Sequence, residues 1–400
     1  MRGQRYCGSL LPDRDGESLV TTIYLVRHGE AEGNLYRRMH GQHNGALTAL
    51  GERQAKALVP RFRDIHLDAV YASDLCRTMG TAAPLCLSKG LPLYTDRRLR
   101  EVDVGIWEDK SFGAVKWENP EEYRTFTTTP HLWRVDGSEN YETLTDRTLA
   151  ALEDITARHP DGTVAVFAHG FLIRMLLCRL FFGPVNAKEV GISGNTGVTL
   201  LTKDQTGYHL HYKFDVSHLE EAKLQSRGPV PIELRFQPMG REIDQYIKYR
   251  KDAWEVVYGS LEGFDGSGFW MDAQNTMGPD PEAMVVAYDG VTPAGMLQLS
   301  PDRDAKKGVG YIPFIYLREE YRSKGLGIQL IGQAISFYQR LGRTKLQLSV
   351  APTNTHAIAF YQKYGFTQVG KTRGRFGKLL LMEKNIALPQ LPKQLEVIKL

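Results

Sequence analysis

The sequence predicts two α/β domains, of which the first is a three-layer α/β/α sandwich and the second a mixed α/β fold. Two observations lead to this fold class. Short apolar, β-branched segments of strand length alternate along the chain with longer segments of helical period, which is typical of α/β proteins. A polar, proline-containing stretch at 226–231 interrupts the alternation, and 400 residues are more than one domain usually holds. We therefore place one domain at residues 21–216 and a second at residues 232–386.

Three shorter segments flank these domains: an N-terminal extension at 1–20, a linker at 217–231 and a C-terminal tail at 387–400. The extension contains charges throughout and no apolar run, so we expect no signal peptide. The apolar segment 171–182 is too short to span a bilayer and is interrupted by two arginines, so we expect no membrane association.

Composition narrows the function classes. The net charge of +4 is small for this length and no dense run of lysine or arginine occurs, so nucleic acid is not predicted as a partner. The four cysteines show neither metal-ligand spacing nor the density of a disulfide framework. We therefore predict reduced thiols, a cytoplasmic location and no bound metal. Nothing in the pattern indicates an oligomeric state.

In the first domain, strands are predicted from apolar, β-branched runs and helices from apolar residues at three- and four-residue spacing. Ser73-Asp74 has the composition of a helix N-cap. Residues 111–140 show no clear period, and we predict that they form a lid over a substrate. The predicted strands are 21–26, 68–72, 163–168, 196–202 and 207–214, and the predicted helices are 51–62, one beginning at Ser73-Asp74, and 141–158.

Histidines follow two of the predicted strands directly. Arg27-His28-Gly29 comes after the first strand, and His169-Gly170 comes after the strand at 163–168. Ligands of open α/β folds bind at the carboxyl ends of strands. An arginine offers a planar fork of donors to a phosphate, and a glycine allows the backbone to approach a ligand closely. An isolated Arg-His-Gly would be more simply explained as a surface feature, so its meaning depends on the rest of the chain.

Further motifs follow in order, at Asn34, Gly41-Gln42, 47–51, 73–78, 99–102 and 168–170. Together with Arg27-His28-Gly29 they resemble the histidine phosphatase superfamily, the phosphoglycerate-mutase-like fold, over residues 21–215. The resemblance implies that His28 is a nucleophile that forms a phosphohistidine. It also implies that Arg27, Arg77 and His169 surround the phosphoryl oxygens.

The same resemblance places neutral donors at Asn34 and Gln42 and a general acid at Glu101. Donating a proton at neutral pH requires a raised carboxyl pKa, which burial would supply. Simpler alternatives exist for two of these residues. Arg77 would pair with Asp74 on the surface, and Glu101 would pair with Arg98 or Arg100.

Two features bear on the reaction. The insertion between Glu101 and His169 is short, which favours a phosphatase over a phosphoglycerate-mutase-type phosphotransferase. The sequence also departs from the family pattern, because Asp109 stands where a glycine is frequent and residues 136–139 read Asp-Gly-Ser-Glu. Both departures lie by the predicted lid, so they concern the choice of substrate.

The second domain begins with a predicted strand at 232–236 and a helix at 240–258, followed by a glycine-rich loop at 259–268. Asp289-Gly290 is a turn signal between two apolar runs, which predicts a hairpin of 284–288 and 294–299. A strand at 310–317, a helix at 328–341, a strand at 345–350 and a helix at 354–364 complete the prediction.

Two blocks in this half resemble the GNAT superfamily of N-acetyltransferases over residues 232–386. One is Arg322-Ser323-Lys324-Gly325-Leu326-Gly327, and the other runs from Asn354 through Tyr361 to Gly365-Phe366. Glycines at the start of a helix let backbone N–H groups turn toward a pyrophosphate. A glycine-rich turn that merely caps a helix is the alternative.

The resemblance implies acetyl-CoA as co-substrate, bound by residues 322–327 and by the strand that ends at Leu317. It implies Asn354 as a further cofactor contact and Tyr361 as the acid that protonates the departing thiolate. Neither the general base nor the amine is identified by the sequence.

The function predicted for the whole chain is a bifunctional enzyme that hydrolyses a small-molecule phosphate ester and acetylates a small-molecule or peptide amine. One alternative is a phosphatase whose second half only binds acyl-CoA, as a regulatory domain, and amine-dependent thiol release distinguishes it from the bifunctional enzyme. Another alternative is an interaction scaffold in which both sites are inactive, and the presence of His28, Arg77, Glu101 and His169 argues against it.

Overall fold

The computed structural model describes residues 19–225, 232–240, 243–277, 280–374 and 377–400. Nearly all of the predicted N-terminal extension and the last part of the predicted linker lie outside these residues. The two mixed α/β domains are confirmed, and each is built on a seven-stranded sheet. In the part of the chain that is described, none of the helices has the length and apolar character that crossing a bilayer requires.

The described helices fall into two groups, one in each domain. Those of the first domain are α1 (Glu32–Tyr36), α2 (Ala49–Arg61), α3 (Cys76–Lys89), α4 (Phe112–Glu118), α5 (Pro120–Thr128), α6 (Tyr141–Arg158), α7 (Gly170–Leu177), α8 (Ala187–Val190) and α9 (Ser217–Ala222). Those of the second domain are α10 (Ile243–Tyr258), α11 (Gly266–Met277), α12 (Gly327–Arg340) and α13 (Thr355–Lys363).

The strands are divided in the same way, apart from the last one. The strands of the first half are β1 (Thr21–Arg27), β2 (Ala69–Ala72), β3 (Leu93–Thr95), β4 (Thr163–Ala168), β5 (Val198–Asp204) and β6 (Gly207–Asp215). Those that follow are β7 (Arg235–Pro238), β8 (Met284–Asp289), β9 (Thr292–Ser300), β10 (Val309–Leu317), β11 (Lys345–Val350), β12 (Thr367–Gly374), β13 (Gly377–Asn385) and β14 (Val397–Lys399).

The first sheet brings the two His-Gly motifs together. Its order is β14-β3-β2-β4-β1-β5-β6, with β1 parallel to β4. Arg27 is paired with Ala168 in that register, and the His28 N–H donates to the Ala168 carbonyl at 3.1 Å. Both strands are largely buried apolar segments, so their register is strongly specified. The two histidines therefore lie side by side at the carboxyl edge of the sheet.

The end of the chain returns to the first domain. β14 pairs in parallel with β3, and Leu395 packs into the core formed by Leu85, Leu93 and their neighbours. The segment predicted as a tail thus supplies the edge strand of the first sheet. A strand of three residues is too short to show a period that sequence analysis can recognise. Its partner β3 also lies about 300 positions earlier in the chain, so the local sequence does not indicate the pairing.

The second sheet opens between its two central strands. Its order is β12-β13-β11-β10-β9-β8-β7, and β10 pairs with β11 only from Val309 to Ile312. Beyond Ile312, the remaining residues of β10 pair with β9 while the end of β11 pairs with β13. Among the described residues, 313–317 of β10 therefore have no strand partner on the β11 side, and Arg322 of the following loop donates to the carbonyl of Leu317 at the end of this edge.

Some predicted elements differ from the structure. The glycine-rich loop predicted at 259–268 continues into α11, where Phe269 and Trp270 pack on a cluster containing Tyr246. This apolar packing outweighs the weak helix propensity of glycine. Helix α3 begins at Cys76 and its N-cap is Leu75, so the predicted cap at Ser73-Asp74 lies just before the observed one. The predicted lid contains α4 and α5, whose amphipathic pattern is too short to stand out.

The two domains share an apolar interface. Tyr36, at the end of α1, belongs to the same core as Ile331 and Ile335 of α12. Gly332 lies directly against Tyr36, because a Cβ atom built at position 332 would meet the Tyr36 Cβ at 2.3 Å. A glycine inside a helix costs about 1 kcal/mol relative to alanine. Its presence here is explained by the close approach of the two helices.

Replacing Gly332 by alanine is therefore expected to lower the melting temperature of the full chain, although alanine is the better helix former. The added methyl group must displace the Tyr36 ring, and overpacking of a core typically costs about 1–3 kcal/mol. Gly240→Ala is the matched control, since a Cβ there meets nothing within 4 Å. Equal melting temperatures for Gly332→Ala and Gly240→Ala would contradict a tight interface at this point.

Candidate active sites and family membership

The first candidate site is a cavity of about 400 Å³ at the carboxyl ends of β1 and β4. The structure brings Arg27, His28, Asn34, Arg77 and Glu101 together on its walls. His169 lies next to it, with its ring centroid 5.3 Å from that of His28. Gln42 is placed differently: its side-chain oxygen accepts from Arg100 at 3.3 Å, and it is not part of the cavity wall.

The ring of His28 is held in one tautomer. Its Nδ1 lies 2.7 Å from the Gly29 carbonyl oxygen, which can only accept, so Nδ1 carries the hydrogen. Burial, Arg77 and Arg27 hold the pKa of His28 well below its ordinary value, so the imidazole is neutral near pH 7. The lone pair on Nε2 is then available to attack an electrophile.

His169 is fully buried and has the opposite tautomer. Arg77 donates from Nε to its Nδ1 at 3.3 Å, which leaves the hydrogen on Nε2. Within the described residues this Nε2 is buried and has no hydrogen-bond partner. An orphaned buried donor beside His28 fits an oxygen of a bound phosphoryl group.

Arginines supply the positive charge of the site. Arg77 is buried and is anchored by donation to the Gly41 and His43 carbonyls at 2.7 and 2.8 Å. Burial lowers the pKa of Arg77 to about 10, which leaves it charged near pH 7. Arg27 donates to the Ser193 carbonyl, and its Nε is buried without a partner among the described residues. Asp74, the alternative partner of Arg77, pairs instead with Arg100.

Asn34 offers a neutral donor. Its side-chain oxygen accepts from the Ala31 N–H at 3.0 Å and from Asn195 at 3.4 Å. These contacts orient the amide so that its NH₂ group is the part left for a ligand. Asn195 itself donates to the His28 carbonyl at 3.2 Å and comes from a loop that carried no sequence signal.

Glu101 has the environment of a proton donor. Burial raises the pKa of its carboxyl, and the hydrogen bonds to its oxygens oppose this only in part. Those bonds come from the backbone N–H groups of Val102, Phe171 and Leu172, the last two at the start of α7. The alternative partners of Glu101 are engaged elsewhere, since Arg98 binds Asp96 and Arg100 binds Asp74.

The structure adds residues that the sequence analysis did not identify. Arg37 and Arg174 bring further positive charge to the cavity, and the rings of Phe112, Phe126 and Phe171 form an apolar wall. Phe112 and Phe126 come from the predicted lid. A signal for Arg37 was present in the Arg-Arg pair that follows Asn34 closely, but such a pair on a loop is usually solvated.

One group of side chains has the spacing of a metal site. His40, His43 and Asp109 have ligand atoms within 4.8 Å of one another. Asp109 is already neutralised by Arg38, whose Nε lies 2.6 Å from its Oδ1. Hydrogen bonds from His40 and Arg38 hold the pKa of Asp109 well below its usual range although burial opposes this. An adjacent guanidinium disfavours a cation there.

The second candidate site lies where the second sheet opens. Ser323 and Gly325 both have positive φ angles, of 59° and 75°, so the loop at 322–327 turns its backbone just before α12. In the described part of the chain, no side chain caps the start of α12. The Arg322 side chain anchors the loop by donating to the Leu317 carbonyl at 2.8 Å. Open N–H groups at a helix start fit a pyrophosphate.

Two other residues predicted for this site belong to α13 and its cap. Tyr361 is buried, and burial raises the pKa of its hydroxyl, so it stays protonated near pH 7. Asn354 accepts from the Ala357 N–H at 3.1 Å and so caps α13. A cavity of about 460 Å³ on the α10 side contains Asp252 and Glu255 together with Tyr316, whose hydroxyl binds Asp252 at 2.9 Å.

Comparison with known proteins identifies both domains. The model of the histidine phosphatase superfamily (branch 1) matches residues 23–215, and that of the acetyltransferase (GNAT) family matches residues 244–366. Phosphoserine phosphatase 1 from Hydrogenobacter thermophilus is 33% identical over 161 residues, which are 40% of this chain and 76% of that protein. A probable phosphoglycerate mutase, GpmB from Erwinia tasmaniensis, is 30% identical over 207 residues, or 50% of this chain and 96% of that protein.

Among solved structures, YhfR from Bacillus stearothermophilus matches with 32% identity and a TM-score of 0.48, covering 50% of this chain and 99% of that one. Both matched families are families of enzymes, and GNAT enzymes use acetyl-CoA.

The two family matches, together with the 33% identity to a relative of which this chain covers 76%, show that the chain belongs to the histidine phosphatase superfamily and carries a GNAT-family acetyltransferase domain after its phosphatase domain.

Proposed function

We propose that the first domain hydrolyses small phosphate monoesters through a phosphohistidine at His28. One observation carries this proposal: a neutral imidazole with a free Nε2 shares a cavity with Arg27, Arg77 and a carboxyl of raised pKa. Phosphoryl transfer requires a nucleophile, positive charge for the equatorial oxygens and a proton for the leaving oxygen. Each of these is supplied by a side chain at this site.

In the first step, Nε2 of His28 forms a bond to phosphorus as the ester P–O bond breaks. Arg27, Arg77 and the Nε2–H of His169 stabilise the charge on the three phosphoryl oxygens. Glu101 gives its proton to the leaving oxygen, and the alcohol departs. The products are the alcohol, a phosphohistidine and the Glu101 carboxylate.

In the second step, water attacks the phosphorus and the P–N bond breaks. The Glu101 carboxylate accepts a proton from that water, which restores its acid form, and inorganic phosphate leaves. Turnover of p-nitrophenyl phosphate by the full chain, compared with a His28→Ala variant, tests the proposal. Transfer of the phosphoryl group to a second alcohol instead of water would make the domain a phosphotransferase, which isomerisation of 3-phosphoglycerate would reveal.

O-phosphoserine is a specific candidate substrate. A relative named phosphoserine phosphatase 1 shares 33% identity with this domain over most of its own length. The cavity agrees with a phosphate ester that carries a further anion, because Arg37 and Arg174 line it in addition to the phosphoryl-binding groups.

For the second domain we propose acetyl-CoA-dependent N-acetylation of an amine. The loop at 322–327 would hold the pyrophosphate, and the acyl arm would lie along the opened edge of β10. The amine nitrogen would attack the thioester carbonyl, and Tyr361 would protonate the departing thiolate. Asp252 and Glu255 in the neighbouring cavity suit a cationic acceptor. The alternative is a domain that binds acyl-CoA without transfer.

Gly325→Val is expected to raise the dissociation constant of acetyl-CoA by about tenfold or more, since a β-branched residue at a φ of 75° is strained by about 1–3 kcal/mol and the loop must rearrange. Gly342→Val is the matched control, because Gly342 has a φ of 70° at the other end of α12. Calorimetry measures both affinities, and equal losses would remove the loop from cofactor binding.

Thiol release by the wild-type chain decides between the two alternatives for this domain. Release that depends on an added amine supports acetyl transfer. Binding of acetyl-CoA without release, across a panel of mono- and diamines and amino acids, would leave the regulatory alternative.

The three described cysteines, Cys76, Cys86 and Cys178, are free thiols, which supports the proposal of a cytoplasmic protein.

A further inference from the structure

Arg37 lies where the phosphatase cavity meets the second domain. It follows α1 with a φ of 58°, lines the cavity, and places its guanidinium 4.8 Å from the centre of the Phe112 ring. Its Nη2 donates to Glu233, which belongs to the segment just before β7 of the second domain. Its Nε is buried without a partner among the described residues. Arg37 thus keeps hydrogen-bonding capacity beside the cavity.

The neighbouring Arg38 is different. Its Nε binds the Asp109 carboxylate at 2.6 Å, and its two other nitrogens bind Gln333 and Ser336 of α12, each at 2.8 Å. Arg38 is therefore committed to holding the two domains together. Of this adjacent pair, Arg37 is the one that retains a donor for a ligand.

Glu233 fixes the position of Arg37. Its side chain is only 8% exposed and also pairs with Lys116 of α4. One carboxylate shared by two cations leaves a net positive charge at this side of the cavity. The packing is tight, because a Cβ at Gly113 of α4 would meet the Glu233 carbonyl at 2.4 Å. A segment of the second domain thus braces both Arg37 and the wall of the cavity.

The charges on the wall of the cavity suit a ligand with a second anionic group. The charges of Arg77 and Arg27 act on His28, whereas Arg37 lies against the Phe112 ring and Arg174 lies on α7 with Phe171. Glu101 is the one carboxylate among the described residues that line it, and the proposed mechanism requires it to be protonated. A phosphate ester that also carries a carboxylate would pair with Arg37 once its phosphoryl group is bound by Arg27 and Arg77.

We propose that Arg37 binds a second anionic group, a carboxylate, on the phosphate ester and that Glu233 of the second domain is its positioning residue. This inference rests on the proposed phosphatase function. If both residues have these roles, both domains contribute to the phosphatase site. The substrate preference of the site then depends on a residue outside the phosphatase domain.

The test measures competition against p-nitrophenyl phosphate hydrolysis by the full chain. The competitors form two pairs: O-phosphoserine with O-phosphoethanolamine, and 3-carboxyphenyl phosphate with phenyl phosphate. The members of each pair differ by one carboxylate, and the two pairs differ in the distance between the phosphate and that carboxylate. Inhibition constants report binding whether or not a competitor is turned over. In the wild type, at least one carboxylated member should bind about tenfold or more tightly than its partner, as a charge-assisted hydrogen bond provides.

Arg37→Met should abolish that preference, so that the inhibition constants of the two members of each pair differ by less than about threefold. Glu233→Ala should reduce the preference in the same direction, and Glu233→Gln, which keeps an acceptor for Arg37, should restore part of it. The matched controls are Arg124→Met and Glu118→Gln, which remove exposed charges of the same kind from α5 and α4. Both should behave as wild type.

Different outcomes separate the two proposals. Failure of the wild type to hydrolyse p-nitrophenyl phosphate would overturn the phosphatase function itself. Hydrolysis without a preference for either carboxylated competitor would overturn the role of Arg37 alone. Equal weakening of all four competitors by Arg37→Met would do the same, and it would place Arg37 with the phosphoryl-binding groups. A preference that survives in Glu233→Ala would remove Glu233 as its positioning residue.

Discussion

His28→Ala is expected to reduce the turnover of p-nitrophenyl phosphate by at least about 10³-fold, because removal of a nucleophile eliminates the covalent route. The same variant should not form the phosphoenzyme that the wild type forms. Intact mass spectrometry after an alkaline quench measures it, since phosphohistidine survives base and is lost in acid. Inorganic phosphate release in buffer with EDTA gives the rate.

His66→Ala is the control for this variant, because His66 is an exposed histidine that pairs only with Asp68 among the described residues. It should retain wild-type turnover. Undiminished activity in His28→Ala would exclude His28 as nucleophile, and loss of wild-type activity in EDTA would require a metal-dependent mechanism in place of the one proposed.

Glu101→Gln is expected to impair alkyl phosphates far more than p-nitrophenyl phosphate. An alkoxide needs a proton in the transition state, whereas p-nitrophenolate leaves largely unaided, and general acid catalysis contributes about 10²–10⁴-fold. The measurement is the loss of kcat/KM from the wild type to Glu101→Gln, determined for O-phosphoethanolamine and for p-nitrophenyl phosphate. Equal losses on the two esters would remove Glu101 from the role of proton donor.

The pH dependence supplies a second readout for Glu101. Burial raises its pKa above the ordinary 4.5, and only the protonated carboxyl can donate. Wild-type activity on an alkyl ester should therefore fall as pH rises through the pKa of Glu101. Activity on p-nitrophenyl phosphate should lack this fall. The phosphate group of p-nitrophenyl phosphate ionises at a lower pH than that of an alkyl ester, because the nitrophenyl group withdraws electrons, so each profile is corrected for the phosphate ionisation of its own ester. On the acid side His28 must stay neutral, which its lowered pKa allows to pH values below 6.5.

Much of the fold follows from local pattern. The predicted limits of β4, β11 and α6 agree with the structure residue for residue, because each is a regular run with a clear period. Elements with weak patterns were missed. Helix α11 follows a glycine-rich stretch, and its formation depends on packing of Phe269 and Trp270 against distant residues.

Asp109 is a departure from the family pattern that the structure explains. The sequence marks it as a departure from a position where glycine is frequent in the family. The structure explains why a glycine suits this position, since Asp109 has a φ of 58°, and it shows what the carboxylate adds. It binds Arg38, His40 and Ser336, so a residue at a glycine position joins the two domains.

The sequence by itself determined the two families, the order of the domains and most of the residues that meet at the first cavity, because those residues lie in short motifs next to buried strands. Only the tertiary structure decided that Gln42 points to Arg100, that β14 completes the first sheet, and that Glu233 holds Arg37. Each of these contacts joins residues far apart in the chain or depends on the direction of one side chain. The spacing of residues contains no information about such contacts, which are set by the packing of distant segments against one another.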